Sequence, residues 1–145
     1  MNSMNNRILI VDDTKSWQVF HKDLIHNFYG NRFDITMASS ANEGYDLICQ
    51  NIDNPFFVVI TDLQMESDFE PKLAGEWLIE NAKKHSEYFS TNFLIISGHA
   101  GVEHVAKQLN VECVSKSILV RNHNFLKFAF EKMMPYLAKI EKYNF

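Results

Sequence analysis

Short apolar runs alternate with amphipathic segments along the whole chain. Apolar runs occur at Arg7–Val11, Phe56–Ile60 and Asn92–Ile96, and a shorter run at Val111–Ser115 and an alternating one at Phe33–Ala38 add two more. Runs of this length are typical of strands, and an unbroken apolar run fits a strand that is buried on both faces of a parallel sheet. The pattern therefore predicts five strands.

Between these runs, apolar residues recur at helical spacing. The first such segment carries Trp17, Phe20, Leu24 and Phe28 on one side and is predicted to end near Gly30. Strands that alternate with helices imply an α/β fold, a five-stranded parallel sheet with helices on both faces. The four other helices are predicted after Ser39 or Ser40, over about Lys72–Ser86, through Val102 and Leu109, and through Phe125 and Met133.

The chain is predicted to form one domain. It has 145 residues, 46% of them hydrophobic, which is enough to bury a sizeable core. We assign residues 1–134 to this domain and residues 135–145 to a C-terminal helical extension or the start of a linker. The boundary lies at Pro135, which is expected to kink or break the last helix and to open a short terminal helix to Tyr143.

Composition excludes several classes of protein. The net charge of -4 is the opposite of what a nucleic-acid-binding surface needs, and no apolar run approaches the roughly 20 residues that span a bilayer. Cys49 and Cys113 both lie inside apolar runs, so we interpret them as reduced core residues rather than a disulfide. We therefore expect a cytoplasmic protein with no direct nucleic-acid binding and no membrane contact.

Chemically active side chains follow four of the predicted strands. Asp12 and Asp13 follow the first, Asp62 the third, Ser97 the fourth and Lys116 the fifth. The carboxyl ends of parallel strands meet at one edge of a sheet, where open α/β sheets bind ligands. Three carboxylates there repel one another, and a divalent cation such as Mg²⁺ relieves the repulsion while leaving positions open for a phosphate. An aspartate nucleophile beside an ammonium group predicts phosphoryl transfer that forms an acyl phosphate.

Four motifs in order, ILIVDD, ITDLQM, LIISG and CVSK, resemble the receiver domains of two-component response regulators. The resemblance extends from Arg7 to about Met134 and implies the (βα)5 flavodoxin-like receiver fold. It also implies that Asp62 accepts a phosphoryl group from a sensor histidine kinase or a phosphotransfer protein. Such a domain is not an enzyme in the usual sense, since it catalyses only its own phosphorylation and dephosphorylation.

The resemblance assigns further roles. Phosphorylation in this family alters the surface of the last two helices and last strand, which serves an output domain, a partner protein or a homodimer. In the implied site, Mg²⁺ is bound by Asp13, Asp62 and the backbone carbonyl of Gln64, and by Asp12 through a water molecule. The phosphoryl oxygens are contacted by Ser97 and Lys116.

The loop after the third strand departs from the family pattern. Glu66 takes the place of the usual proline, and the glycine that opens the third helix, Gly75, comes late. An acidic insertion, Glu66–Pro71, is the simplest explanation. It is expected to be a solvated loop; the alternatives are that its acidic residues disfavour an anionic phosphodonor, act as a lid or contact a partner.

The fourth and fifth strand ends depart as well. Cys113 replaces the switch aromatic, and Ser117 replaces the proline after Lys116, which leaves the backbone geometry at Lys116 open. Gly98 screens the site less than a larger residue would, and His99 lies where the family modulates loss of the phosphoryl group.

Three other functions stay open. A degenerate receiver would serve as a phosphorylation-independent docking module, and Mg²⁺ binding would distinguish it. A small Mg²⁺-dependent phosphatase or phosphotransferase would use Asp62 as a covalent nucleophile and turn over a phosphate ester. A flavin-binding module is less favoured because no Ser/Thr/Gly-rich phosphate loop follows the first strand.

A structural alternative also stays open for the acid pair: Asp12 and Asp13 could serve only as a helix cap.

Overall fold

A computed structural model describes residues 6–138. Its five strands form one parallel sheet in the order β2-β1-β3-β4-β5, which confirms the predicted α/β class. The strands are β1 (Arg7–Val11), β2 (Asp34–Ala38), β3 (Val58–Thr61), β4 (Asn92–Ser97) and β5 (Glu112–Ser115).

Six helices precede Pro135 in the described residues, one more than the five predicted there. They are α1 (Lys15–Tyr29), α2 (Ala41–Gln50), α3 (Ala74–Ala82), α4 (Val102–Leu109), α5 (Lys116–Arg121) and α6 (Asn124–Met133). The extra helix is α5, which begins at Lys116 directly after β5. Because residue 117 is serine, the steric effect by which proline disfavours helical backbone at the preceding residue is absent. Helix α3 is shorter than predicted, and a separate 3-10 turn follows at Ser86–Tyr88.

Two apolar cores cover the two faces of the sheet. Successive residues of a strand point to opposite faces, so Ile8 and Ile10 pack against α1, α5 and α6, while Leu9 and Val11 pack against α2, α3 and α4. All four side chains are buried. Burial on both faces explains why the strands are apolar throughout.

The buried side of α1 differs from the prediction by about one position. Trp17, Phe20 and Phe28 are only half-buried, although Leu24 is buried as expected. The fully buried residues on this helix are Gln18, His21, Leu24, Ile25 and Tyr29. The two polar members lie beside Asp12: Gln18 donates to its backbone carbonyl oxygen, and His21 lies near its carboxylate. Both contacts favour the observed rotation of the helix.

Helix α6 breaks where Pro135 predicted a break. Met134 leaves helical geometry, helical backbone resumes at Tyr136, and Leu137 is buried in the core against α6. The rest of the predicted terminal helix, up to Tyr143, lies outside the described residues.

The two cysteines are free, and the prediction of a core residue was wrong for Cys49, whereas Cys113 packs against the core that contains Leu9 and Val11. Cys49 is exposed and Cys113 is half-buried. Cys49 lies on the outer side of α2, next to the buried Ile48, since neighbouring residues of a helix point in different directions. Among the described residues, no helix combines the length and the hydropathy that a bilayer crossing requires.

Candidate functional site

The predicted site residues converge at the carboxyl edge of the sheet. Asp12 directly follows β1 and Asp62 follows β3, while Ser97 ends β4 and Lys116 follows β5. These four strands are neighbours in the sheet, so their ends are adjacent. Asp13, next along the chain from Asp12, is exposed at the same edge.

Lys116 joins the acids of this edge. Its ammonium group donates a hydrogen bond of 2.8 Å to Asp62 Oδ2. The same group forms an ion pair with Asp12 Oδ2 at 3.0 Å. Burial acts to lower the pKa of Lys116, but the two carboxylates outweigh it, so the pKa is raised overall. Lys116 is therefore a cation at neutral pH.

Asp12 is the most enclosed of the three acids, with only 1% of its surface exposed. Its Oδ1 accepts a hydrogen bond of 3.0 Å from the Thr14 backbone N–H, and its carbonyl oxygen accepts one of 2.7 Å from Gln18 Nε2. Burial raises the pKa of the Asp12 carboxyl, against the lowering effects of the Thr14 hydrogen bond and of Lys116. Additional positive charge beside this carboxylate would favour its ionised form.

The donor set fits a divalent cation. Asp12, Asp13 and Asp62 each offer a carboxylate oxygen, and these oxygens lie within 4.8 Å of one another. Three carboxylates and one ammonium group leave two net negative charges, and the buried Oδ2 of Asp12 lacks a hydrogen bond. Oxygen-only ligands favour hard cations such as Mg²⁺. Gln64, whose carbonyl was predicted as a further ligand, is exposed two residues after Asp62.

Asp62 is buried, with 7% of its surface exposed, and backbone groups at the ends of β1 and β3 hold it through hydrogen bonds. Its Oδ1 accepts a hydrogen bond of 2.7 Å from the Leu63 N–H, and its own N–H donates to Val11 O across the sheet. The first turn of α3 contacts the same segment, because the Gly75 N–H donates to Leu63 O at 3.0 Å. A Cβ atom on Gly75 would lie 2.0 Å from Asp62 O. Only glycine permits this approach of helix to strand.

The end of β4 supplies a buried hydroxyl. Ser97 is buried, and its Oγ accepts a hydrogen bond of 3.1 Å from the His99 N–H. The predicted modulating residues lie beside it: Gly98 is exposed, and His99 Nδ1 accepts a hydrogen bond of 3.0 Å from the Gly101 N–H. The His99 ring is thus engaged within its own loop.

The acidic insertion contacts two helices, α2 and α3. Glu66 accepts hydrogen bonds from the first two N–H groups of α2, with Oε1 at 2.7 Å from Ala41 N and Oε2 at 3.1 Å from Asn42 N. Phe69 stacks on Trp77 of α3 with ring centroids 4.1 Å apart. Glu66 therefore caps a helix through a tertiary contact, a role that the sequence did not predict.

Three residues near the acids were not predicted as part of the site, and all lie on α1. Gln18 binds the Asp12 carbonyl oxygen, the Trp17 ring centroid lies 4.7 Å from Lys116 Nζ, and His21 Nε2 lies 4.0 Å from Asp12 Oδ2. Burial lowers the pKa of His21 to about 4, so the ring is neutral at pH 7. A signal existed: Gln18 and His21 are polar, yet share helical spacing with the apolar Ile25.

Comparison with known proteins shows similarity in structure. No protein-family model and no curated protein matches the chain. A response regulator receiver domain protein from Clostridium thermocellum superposes with a TM-score of 0.67 and 23% identity, over 92% of this chain and 98% of that one. A CheY-like receiver domain protein from Methanospirillum hungatei JF-1 gives 0.65 and 23%, over 94% and 98%.

A third similar structure is the signal receiver domain of an HD domain-containing protein from Pseudomonas fluorescens Pf-5. Its TM-score is 0.69 with 16% identity, over 99% of this chain and 97% of that one. At such identities the similarity shows the fold. The receiver fold predicted from the four motifs is therefore confirmed across nearly the whole chain.

Proposed function

We propose that this chain, whose fold is that of response-regulator receiver domains, is a cytoplasmic phosphoacceptor switch. In this proposal Asp62 accepts a phosphoryl group from a sensor histidine kinase or a phosphotransfer protein in a Mg²⁺-dependent reaction. One observation carries it: the Lys116 ammonium group lies between the carboxylates of Asp62 and Asp12 at a sheet edge that also presents Asp13. Signalling rather than metabolic turnover is the biological role.

The proposed step needs little from the protein besides positioning and charge. A carboxylate oxygen of Asp62 attacks the phosphorus of a phosphohistidine, a P–O bond forms, and the P–N bond breaks. The bonding electrons remain on the imidazole nitrogen, which then takes up a proton. Bound Mg²⁺ would neutralise charge on the phosphoryl oxygens, held by Asp13 and Asp62 with Asp12. Lys116 donates to one phosphoryl oxygen in place of the Asp62 oxygen, and the Ser97 hydroxyl donates to another.

The signal was predicted on the last strand and on the helices through Val102 and Leu109 and through Phe125 and Met133, which are α4 and α6; the additional helix α5 lies between β5 and α6. Phe125 and Phe128 of α6 are 39% and 51% exposed and contact each other edge to face. Ile118 and Val120 of α5 are also exposed. Exposed large apolar groups of this kind are typical of binding surfaces. They support the hypothesis that an output domain, a partner protein or a second copy of this chain binds at this face.

The homodimer is tested by the molecular mass in scattering or sedimentation, with and without a phosphoryl mimic. A monomer mass that does not change with protein concentration would refute it.

The test is intact mass after incubation with a small acyl-phosphate donor. Wild-type protein with Mg²⁺ is expected to gain one phosphoryl group, and the gain should vanish without metal or in Asp62→Asn. No gain from the acyl phosphate or from cognate kinases, together with no Mg²⁺ binding, would refute the proposal and favour the phosphorylation-independent docking module. Continuous release of phosphate from a small ester would instead favour the phosphatase alternative.

A further inference from the structure

Lys116 has an aromatic partner in addition to its two acids. Its Nζ lies 4.7 Å from the centroid of the Trp17 ring, while Asp62 Oδ2 is 2.8 Å and Asp12 Oδ2 is 3.0 Å away. The ring face carries partial negative charge and attracts a cation at this distance. The ammonium group is thus held by two carboxylates and one indole.

This third contact addresses a specific problem of a buried lysine. A lysine ammonium group is strongly hydrated and sits on a flexible four-carbon chain, and here only 13% of the side chain is exposed. An aromatic face replaces part of the lost hydration without the directional demand of a hydrogen bond. The ammonium group can therefore shift over the ring by a fraction of an ångström and remain stabilised.

Trp17 is itself fixed by neighbouring rings. Phe20 meets it edge to face at 5.3 Å and His21 lies at 5.6 Å, both on α1. Phe20 in turn contacts His123, the residue before α6, at 5.4 Å. The indole is consequently part of a packed ring cluster that connects Lys116 to α1 and to the beginning of α6.

We propose that Trp17 is a positioning residue for Lys116, an inference that rests on the proposed function. Its ring holds the ammonium group beside Asp62 while the hydrogen bond of Lys116 transfers from the carboxylate to a phosphoryl oxygen. A purely structural Trp17 would fill space on α1, and any large apolar side chain would serve equally well. The two roles differ in whether the electron density of the ring matters.

The contact can be tested without metal or phosphodonor. Protons above an aromatic face resonate upfield, so NMR of the wild-type protein should show the ε-methylene protons of Lys116 upfield of those of the exposed Lys15. This shift should disappear in Trp17→Leu and persist in Asp62→Asn. Ordinary Lys116 resonances in the wild type would overturn the inference, whatever the protein does with phosphate.

The effect on the reaction is tested with fluorinated tryptophans, which withdraw electrons from the ring face and change its shape little. In a Trp77→Phe background Trp17 is the only labelled position, because the chain has two tryptophans. The rate constant of Asp62 phosphorylation should fall stepwise with added fluorine, and Trp17→Leu should lose roughly two- to thirty-fold. Trp17→Phe should lie between.

Two results of the rate series would overturn the positioning role. Rates that do not change with fluorination would show that the ring only fills space, as would a Trp17→Leu variant as fast as Trp17→Phe. A wild-type protein that accepts no phosphoryl group would refute the proposed function instead, and the NMR arm would still decide whether Trp17 holds Lys116.

Discussion

Substitution of Gly75 by alanine tests the contact between α3 and the end of β3. The added Cβ would lie 2.0 Å from Asp62 O, about 1.4 Å short of the 3.4 Å at which ordinary contact begins. It would also lie 2.9 Å from Asp62 C and 3.0 Å from Leu63 Cα. All three neighbours are backbone atoms, so no side-chain rotation relieves the overlap and α3 must move away from the strand.

The expected cost follows from these contacts. Overpacking of this kind costs about 1–3 kcal/mol, and separation of the helix also weakens the hydrogen bond from Gly75 N to Leu63 O, worth about 1 kcal/mol. We therefore expect the Gly75→Ala variant to lose about 3 kcal/mol of unfolding free energy and roughly 10 °C of Tm for a chain of this size. Because the atoms that the added Cβ overlaps belong to Asp62 and Leu63, phosphoryl acceptance should fall as well.

The assay combines urea unfolding, followed by circular dichroism, with phosphorylation measured well below the Tm of the variant. Gly98→Ala is the matched control at the same edge: an added Cβ there meets no atom within 4 Å, so its stability should stay within about 0.5 kcal/mol of wild type. A Gly75→Ala protein with wild-type stability and full phosphoryl acceptance would refute the close approach of α3 to Asp62.

Three further predictions follow from the site and its supports. The free energy of unfolding should fall by about 3 kcal/mol as the pH drops from about 6.5 to about 4. In this pH range His21 becomes protonated in the unfolded state but stays neutral in the folded state, where burial lowers its pKa to about 4. Urea midpoints should therefore decrease toward acid in wild type and less so in His21→Leu; equal slopes would refute a buried neutral His21. Glu66→Gln should cost about 1 kcal/mol of unfolding free energy by weakening the cap on α2, whereas Asp68→Asn, an exposed acid of the same loop, should be neutral; equal effects of the two variants on urea unfolding would contradict the cap. Lys116→Met should bind Mg²⁺ roughly tenfold more tightly in calorimetric titration, because the ammonium group competes with the metal for the same oxygens; weaker binding would count against a shared site.

The sequence predicted the features that local pattern and parallel topology determine. An apolar run followed by a polar residue marks a strand end, and parallel strands end at the same edge of a sheet. The sequence therefore placed Asp12, Asp62, Ser97 and Lys116 at one edge. The break near Pro135 followed in the same way, since proline cannot continue a helix without losing a hydrogen bond.

Features that depend on tertiary contacts could not be predicted. Glu66 caps α2 across 25 residues of sequence, and no local signal distinguishes such a cap from a solvated acid. The rotation of α1 is set by the contacts of Gln18 and His21 with Asp12, and it moves the predicted apolar side by about one position. Helix α5 was not predicted, although serine at position 117 permits helical backbone at Lys116 where a proline would disfavour it.

The most direct test of the central claim is to locate the phosphoryl group. Borohydride reduction of the phosphorylated protein converts an aspartyl phosphate to homoserine, and peptide mass spectrometry then identifies the residue. We predict homoserine at position 62 alone, dependent on Mg²⁺, with Asp12 and Asp13 unchanged. Homoserine at another aspartate, or a phosphorylated protein in which Asp62 is unmodified, would contradict the assignment of Asp62 as the phosphoacceptor.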